Sequence, residues 1–146
     1  MLKRLILVLS FLVLISPLAQ ADVKKVAVVD VQKVVNKSAQ VQALKKEQEA
    51  KNKELANFIK KAGENIKKEA DVNKKKALMD KYDKDLKTKR EANLKVYKTK
   101  LEAIDKSINA TIVQQAKNLG YDMVLTKGVV LYGGDDITEA ILKVVK

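Results

Sequence analysis

Apolar residues follow one pattern at the two ends of the chain and another pattern between them. Residues 24–30 (KKVAVVD) form a short, unbroken, β-branched run, which predicts a strand buried on both faces. Val31, Val34, Val35 and Ala39 then recur at helical spacing, and we expect a short helix there. The pattern therefore opens the fold with a strand followed by a helix.

Between residues 31 and 119 the chain contains no proline, and from residue 41 its apolar residues thin to a single stripe. Steps of three and four residues predict two helices, each with one narrow apolar seam. One straight helix of this length would span about 130 Å, so the chain buries both seams by folding back on itself. Asp71 and Asn73 are good helix N-caps and favour a corner within residues 69–74, while Gly63 is the competing corner. The predicted seam comprises Val41, Leu44, Leu55, Phe58 or Ile59, Ala62 and Ile66 in the first half, and Leu78, Tyr82, Leu86, Tyr97, Leu101, Ile104, Ile108, Ile112 and Leu119 in the second.

After the second helical stretch, short β-branched runs return. Gly120 is placed to end the helix. Residues 121–126 and 129–132 predict two strands, joined by a tight turn at Lys127 and Gly128. These strands must find the first strand across the whole helical segment.

The predicted fold class is α+β. Residues 41–119 form a long antiparallel helical hairpin, inserted in a small β-rich body made of residues 22–40 and 120–146, whose final helix is capped by Asp136 with Glu139 as capping-box partner. Because three short strands and one short helix bury too little to be stable alone, we expect several copies to share one core. The strand residues expected at that contact are Val26, Val28, Val124, Leu125, Val129 and Leu131.

The start of the chain has the pattern of an export signal. Lys3 and Arg4 precede an apolar run over residues 5–15, and residues 19–21 (AQA) form a small-x-small cleavage site. The run is shorter than the roughly 20 residues that span a membrane. We therefore expect residues 1–21 to be removed by cleavage after Ala21 and the mature chain to reside in the periplasm.

Most of the positive charge lies on the hairpin. The formal net charge of the whole chain is +12, and removal of Lys3 and Arg4 leaves +10. Residues 45–106 hold 20 basic and 12 acidic residues. Acid-first pairs at i, i+4 are expected to support these solvated helices: Glu47–Lys51, Glu49–Lys53, Glu64–Lys68, Asp80–Lys84, Asp83–Lys87, Asp85–Lys89, Glu91–Lys95 and Glu102–Lys106.

The residue types argue against an enzyme. The sequence contains no cysteine and no histidine, which removes the commonest metal ligands and the commonest nucleophile–base pair. Asp80, Asp83 and Asp85 lack the loop glycine and the terminal glutamate of a calcium-binding EF-hand, and the loop at Gly133 and Gly134 lacks the spacing of a phosphate-binding motif. No catalytic residue, metal site or cofactor is predicted.

Both ends of the mature chain carry sequences typical of one family. Residues 25–35 (KVAVVDVQKVV) are similar to its opening strand and short helix, and residues 121–125 (YDMVL), 129–132 (VVLY) and 135–143 are similar to its closing strands and helix. These residues resemble the Skp/OmpH family of periplasmic chaperones, specifically at the ends and only in composition across the hairpin.

The resemblance implies a homotrimer in which strands from each subunit form a central barrel and the hairpins project as tentacles around a cavity. It implies an ATP-independent holdase that keeps unfolded outer-membrane β-barrel proteins soluble in the periplasm. It also associates basic tentacles with acidic clients and with anionic lipid or lipopolysaccharide.

Two sets of residues in the distal half of the hairpin are candidates for such binding. Lysines near the corner would attract acidic clients or anionic lipid, and apolar residues left out of the seam would make adaptable contacts with clients. Of the adjacent pairs Phe58–Ile59 and Leu78–Met79, we expect one member each to face away from the seam. The basic candidates are Lys60, Lys61, Lys67, Lys68, Lys74, Lys75 and Lys76, and the apolar candidates are Phe58, Ile59, Ile66, Leu78, Met79 and Tyr82.

Two other classes of protein fit the composition less well. Nucleic-acid binding suits the net charge, but the export signal and the largely paired charges without a dense arginine stripe argue against it, and no nucleic-acid partner is expected. The alternative is a structural coiled-coil or adaptor protein of the envelope, which leaves the flanking strands unexplained.

Overall fold

The computed structural model describes residues 24–145, and the predicted signal peptide lies outside the described residues. The elements in chain order are β1 (Val26–Val29), α1 (Val31–Lys37), α2 (Ala39–Lys68), α3 (Val72–Asn118), β2 (Met123–Thr126), a 3-10 turn (Lys127–Val129), β3 (Asp135–Asp136) and α4 (Thr138–Leu142). The described chain is mostly helical with one small sheet, which is consistent with the predicted α+β class.

The sheet has the order β2-β1-β3, and both pairs are parallel. Val26 pairs with Met123, and Ala27 pairs with Asp135, so β1 is the central strand although it comes first in the chain. Parallel neighbours require a crossover connection, and here the long helices supply it. The backbone pairing of the first strand therefore comes from residues about 100 positions later in the chain, and beside it Asp122 accepts the backbone N–H of Lys25 at 2.9 Å.

One face of β1 forms the core of the body. Ala27 and Val29 are fully buried, and they pack against the start of the chain's helical part, the C-terminal end of α3 and the last helix. Asp30 ends the strand and caps α1, because its Oδ1 accepts the backbone N–H of Lys33 at 2.9 Å. The other buried members of this core are Val34, Ile108, Ile112, Ala116, Ile137 and Ile141.

The strand predicted over residues 129–132 is wrong. The chain forms the 3-10 turn at Lys127–Val129 and then an exposed loop, while the third strand is Asp135–Asp136. The β-branched run has high strand propensity, but it has no partner in the sheet, because β2 and β3 occupy both edges of β1. Gly133 and Gly134 have positive φ angles of 87° and 83°, which turn the chain back to β1.

The predicted cap of the last helix is also wrong in detail. Asp136 belongs to β3, and its Oδ1 accepts hydrogen bonds from the backbone N–H and the hydroxyl of Thr138, at 3.0 Å and 2.5 Å. Thr138 Oγ1 in turn accepts the backbone N–H of Asp30 at 2.9 Å. Glu139 is not a capping-box partner, since it accepts from Lys33 Nζ at 2.6 Å. These bonds join α4 to the end of β1 and to α1.

The corner between the long helices lies within residues 69–74, as predicted. Asp71 is the N-cap of α3 and accepts the backbone N–H of Lys74 at 2.9 Å, while Glu69 accepts the backbone N–H of Asp71 at 3.0 Å. Gly63 lies inside α2, so the competing corner is wrong. Local capping residues therefore decide where the chain turns.

The helices α2 and α3 run antiparallel and contact each other along their length. Phe58 contacts Lys89, and Glu47 contacts Lys100, so residues earlier in α2 contact residues later in α3. At the body end, Gly120 (φ +78°) ends α3 with a Schellman motif, because Gly120 N–H donates to Lys117 O and Tyr121 N–H donates to Ala116 O. We call this pair of helices the arm.

The seam of the arm follows the predicted stripe with two exceptions and one interruption. Leu101 and Leu119 are about half exposed and do not belong to it. In the middle of the arm, polar Gln48, Lys51 and Asn93 take seam positions and line a cleft of about 150 Å³. The remaining predicted seam residues are buried or half-buried, with Phe58 rather than Ile59 at the alternative position.

The predicted i, i+4 ion pairs do not form within the described residues. Glu47 pairs with Lys100 of the other helix at 2.6 Å, and Lys51 pairs with Glu54 at 2.9 Å. Both pairs are exposed to solvent and contribute little to stability, as do ion pairs of this kind in general, so the packing of the seam and not the charges holds α2 against α3.

Candidate functional site

An aromatic cluster closes the seam in the distal half of the arm. The rings of Phe58 and Tyr82 are edge to face, with centroids 5.8 Å apart at 74°, and Lys89 Nζ lies 5.4 Å from the centre of the Phe58 ring. Asn65 Nδ2 donates to the hydroxyl oxygen of Tyr82 at 2.7 Å. Two of the predicted binding residues are therefore used to join α2 to α3.

Ile59 and Met79, which directly follow Phe58 and Leu78 in the chain, face outward, as predicted for one member of each adjacent pair. Ile59 is 46% exposed and Met79 is 48% exposed, whereas Phe58, Ile66 and Leu78 are half-buried along the seam. Of the six predicted apolar candidates, the structure thus presents Ile59 and Met79 most openly to solvent.

Between the two ends of α3, where Val72 and Val113 are exposed, three further apolar side chains are exposed that the sequence patterns did not identify as binding candidates. Leu94 is 67% exposed, Val96 is 49% exposed and Leu101 is 46% exposed. The seam passes through Asn93 and Tyr97, and Leu94 and Val96 project to opposite sides of it. For Leu94 and Val96 the available signal was that they fall out of phase with the seam, whereas Leu101 falls in phase with it and gave no such signal.

The seven candidate lysines lie around the corner, and all are exposed. Within residues 24–145, none of their ammonium groups forms an ion pair with a carboxylate. Lys67 and Lys68 occupy the last turn of α2, where positive charge favours the helix dipole. Lys74, at the start of α3, is followed by two more lysines, and the first turn contains no acidic residue. Positive charge there opposes the dipole of α3, so these three lysines do not stabilise that helix end, which is capped by Asp71.

The outer face of the sheet is apolar and partly open. The pleat and the register place Val26 and Val28 beside Met123 and Leu125 on this face. Gly134 covers Val28, since a Cβ at that glycine would lie 2.6 Å from Cγ2 of Val28.

The other predicted contact residues divide between core and surface. Val124 points to the opposite face and packs against the core of its own chain. The following loop exposes Val129 at 72%, and Leu131 and Tyr132 fully.

A charged network supports this loop. Lys127 Nζ donates to Asp136 Oδ2 at 2.8 Å. This bond and the two bonds from Thr138 hold the pKa of Asp136 well below its ordinary value of 3.8. The same ion pair raises the pKa of Lys127. The network fixes both ends of the exposed apolar loop.

The architecture defines a class of binding protein, with exposed apolar and basic side chains along a two-helix arm that is mounted on a small body. A family model described as outer membrane protein (OmpH-like) matches residues 25–145. The chain therefore belongs to the OmpH-like family, and the resemblance to the Skp/OmpH family is confirmed. A search of curated proteins finds no match.

Membership of this family supports, at family level, a periplasmic chaperone of outer-membrane proteins. Within residues 24–145, no helix has both the length and the apolar character needed to cross a bilayer.

Proposed function

We propose that this protein is an ATP-independent periplasmic holdase that binds unfolded outer-membrane β-barrel proteins and prevents their aggregation in transit. The observation that carries the proposal is the exposure of Ile59 and Met79 on a folded, strongly charged arm of a chain from the OmpH-like family. Apolar side chains that stay exposed on a folded arm can bury further area against an unfolded chain, which is favourable by about 25 cal/mol per Å². Methionine suits clients of differing sequence, because its side chain is flexible and polarizable.

Electrostatic attraction would bring clients to the arm. The seven unpaired lysines at the tip raise the rate of encounter with acidic chains, and they would also attract anionic lipid or lipopolysaccharide. The three lysines that follow Asn73 work against the dipole of α3, which supports a role in binding rather than in folding.

We further propose that three bodies associate, so that three arms surround one cavity. The apolar outer face of the sheet supports this assembly, as does the loop that exposes Leu131 and Tyr132. Val26, Leu125, Val129 and Leu131 are available for the contact, whereas Val28 and Val124 would act indirectly by supporting the sheet. Sedimentation equilibrium should give a trimer that Leu131→Asp weakens, and a folded monomer of the unmodified chain at micromolar concentration would contradict it.

The holdase activity is tested by diluting a urea-denatured outer-membrane barrel protein into buffer without nucleotide and following light scattering. Residues 22–146 at a few-fold molar excess should suppress scattering, and Ile59→Gln with Met79→Gln should reduce the suppression. Asn57→Gln with Asp80→Asn, at neighbouring exposed positions, is the matched control and should suppress as well as the unmodified chain. No suppression by the unmodified chain would refute the holdase.

A further inference from the structure

The exposed apolar side chains of the arm lie mainly on one of its two faces. Ile59, Met79 and Leu94 each directly follow a residue of the seam, namely Phe58, Leu78 and Asn93. Around the helix axis, each of these side chains is therefore rotated by about 100°, in the same sense, from the seam residue that precedes it. Two right-handed helices that run antiparallel turn in opposite senses when both are viewed from the same end of the arm. An equal rotation away from the seam therefore brings side chains of α2 and α3 to the same face of the arm.

Leu101 extends this row toward the body. It follows Leu94 by seven residues, two turns of helix, and so shares its face. The pairing of Phe58 with Lys89 places Ile59 between Met79 and Leu94 along the arm. We call these four residues, Ile59, Met79, Leu94 and Leu101, the apolar track.

The opposite face differs in character. Residues that precede the seam lie there, and on α3 these include Ala92 and Ala103, which line clefts on that side. The ion pair between Glu47 and Lys100 borders the same clefts. Val96 is the one large apolar side chain of the middle of the arm that lies on this face, at 49% exposure.

We propose that the apolar track binds an extended, apolar segment of an unfolded polypeptide along the length of the arm, which rests on the proposed holdase function and identifies its binding face. Met79 and Leu101 are separated by about 33 Å of helix, which is the length of about ten residues of extended chain. A membrane-spanning β-strand has about 9–11 residues, so one such segment fits the track.

The charges on the track favour a client over a second copy of the arm. Asp83, Lys87 and Arg90 lie on this face between the apolar positions, and none of the three forms an ion pair within residues 24–145. The net charge there is positive, so two copies of this face gain no electrostatic attraction, whereas an acidic unfolded segment does. Four half-exposed side chains also fall well short of the roughly 800 Å² per partner that a stable protein interface buries.

The test compares two double variants of residues 22–146. Leu94→Gln with Leu101→Gln alters the track, and Val96→Gln with Ala103→Gln alters the opposite face by the same number of residues. Fluorescence titration with a labelled, urea-denatured outer-membrane barrel protein should show about tenfold weaker binding for the track variant, a change of about 1.4 kcal/mol. The opposite-face variant should bind within about twofold of the unmodified chain, a shift small against the tenfold step of 1.4 kcal/mol.

A second measurement does not depend on the stability of these variants. The chain has no native cysteine, so Leu94→Cys and Val96→Cys can each carry one environment-sensitive dye. The denatured client should shift the emission at position 94 and leave position 96 unchanged.

Equal effects at both faces, or a changed oligomeric state of the track variant in sedimentation, would overturn the apolar track as a client site. Failure of the unmodified chain to bind the client would instead refute the holdase itself, so the two outcomes are distinguishable.

Discussion

Gly134 crosses the outer face of β1, and a side chain at this position should destabilise the body. Its φ is +83°, and an added Cβ would lie 2.6 Å from Cγ2 of Val28. A left-handed backbone costs a residue with a Cβ about 1–2 kcal/mol, and forced overpacking costs about 1–3 kcal/mol. We therefore expect Gly134→Ala to lower the free energy of unfolding by about 2–5 kcal/mol.

Gly133→Ala separates the two contributions. Gly133 has φ +87°, but a Cβ there would meet nothing within 4 Å. Only the backbone cost applies, and we expect a loss of about 1–2 kcal/mol. Denaturant unfolding followed by far-ultraviolet circular dichroism measures both variants, at one protein concentration because association changes apparent stability.

Val28→Ala supplies the remaining arm of the experiment. In the Gly134→Ala chain it removes the methyl group that the new Cβ would meet, so the two substitutions should combine less than additively. If Gly134→Ala costs no more than Gly133→Ala, and Val28→Ala adds independently, the close approach of this loop to β1 is refuted.

Three further variants test the tip, the body and the seam. Lys74→Gln, Lys75→Gln and Lys76→Gln together should weaken binding to anionic vesicles in low salt by roughly a hundredfold, since each lysine near such a surface contributes about 1 kcal/mol. The same variant should have a slightly higher Tm, because positive charge is removed from the start of α3. Unchanged vesicle binding would count against a lipid role. Asp136 has a lowered pKa in the fold, so its stabilisation is present above its ordinary pKa of 3.8 and is lost as pH falls below it. Asp136→Asn should therefore flatten the fall of Tm with acid, and parallel Tm profiles would contradict this. Asn93→Leu should fill the polar cleft of the seam and raise the unfolding free energy by about 1 kcal/mol, whereas a loss of stability would show that the polar seam position is required.

The parts of the fold that depend on local interactions were predictable from the sequence. Asp71 caps α3 through a hydrogen bond to a backbone N–H three residues away, so the corner needed no knowledge of the tertiary structure. The strand at Val26–Val29 and the helix after it were equally local in their signals. The residue types of these segments favour their conformations locally, and only the partners of β1 in the sheet lie far away in the chain.

The third strand could not be predicted, because its cause is not local. Asp135 and Asp136 have poor strand propensity, and they form β3 only because β1 has a free edge there. The preceding β-branched residues, 129–132, favour a strand by their propensity, but they do not form one.

Two residues of the apolar track, Leu94 and Leu101, were missed for a different physical reason. Leu101 lies at helical spacing from both Tyr97 and Ile104, so period counting assigns all three residues to one seam. A pair of helices, however, has one line of contact, and each helix can bury only the strip that faces its partner. The Phe58–Tyr82 cluster and the Glu47–Lys100 pair fix which strip that is, and they leave Leu101 outside it.

Because each helix of the arm buries only the strip that faces its partner, the folded arm can keep other apolar residues exposed to water. A third helix or a sheet would cover Leu94 and Leu101, but in this chain the body covers only the C-terminal end of α3, at Ile108 and Ala116. The cost of that exposure is spread thinly, because the four residues of the apolar track lie singly among charged neighbours and form no continuous patch. The arm is then soluble without a client, and each contact with a client is weak. Under the proposed holdase function, tight holding would require several arms, and the proposed association of bodies through the apolar loop around Leu131 would bring those arms together.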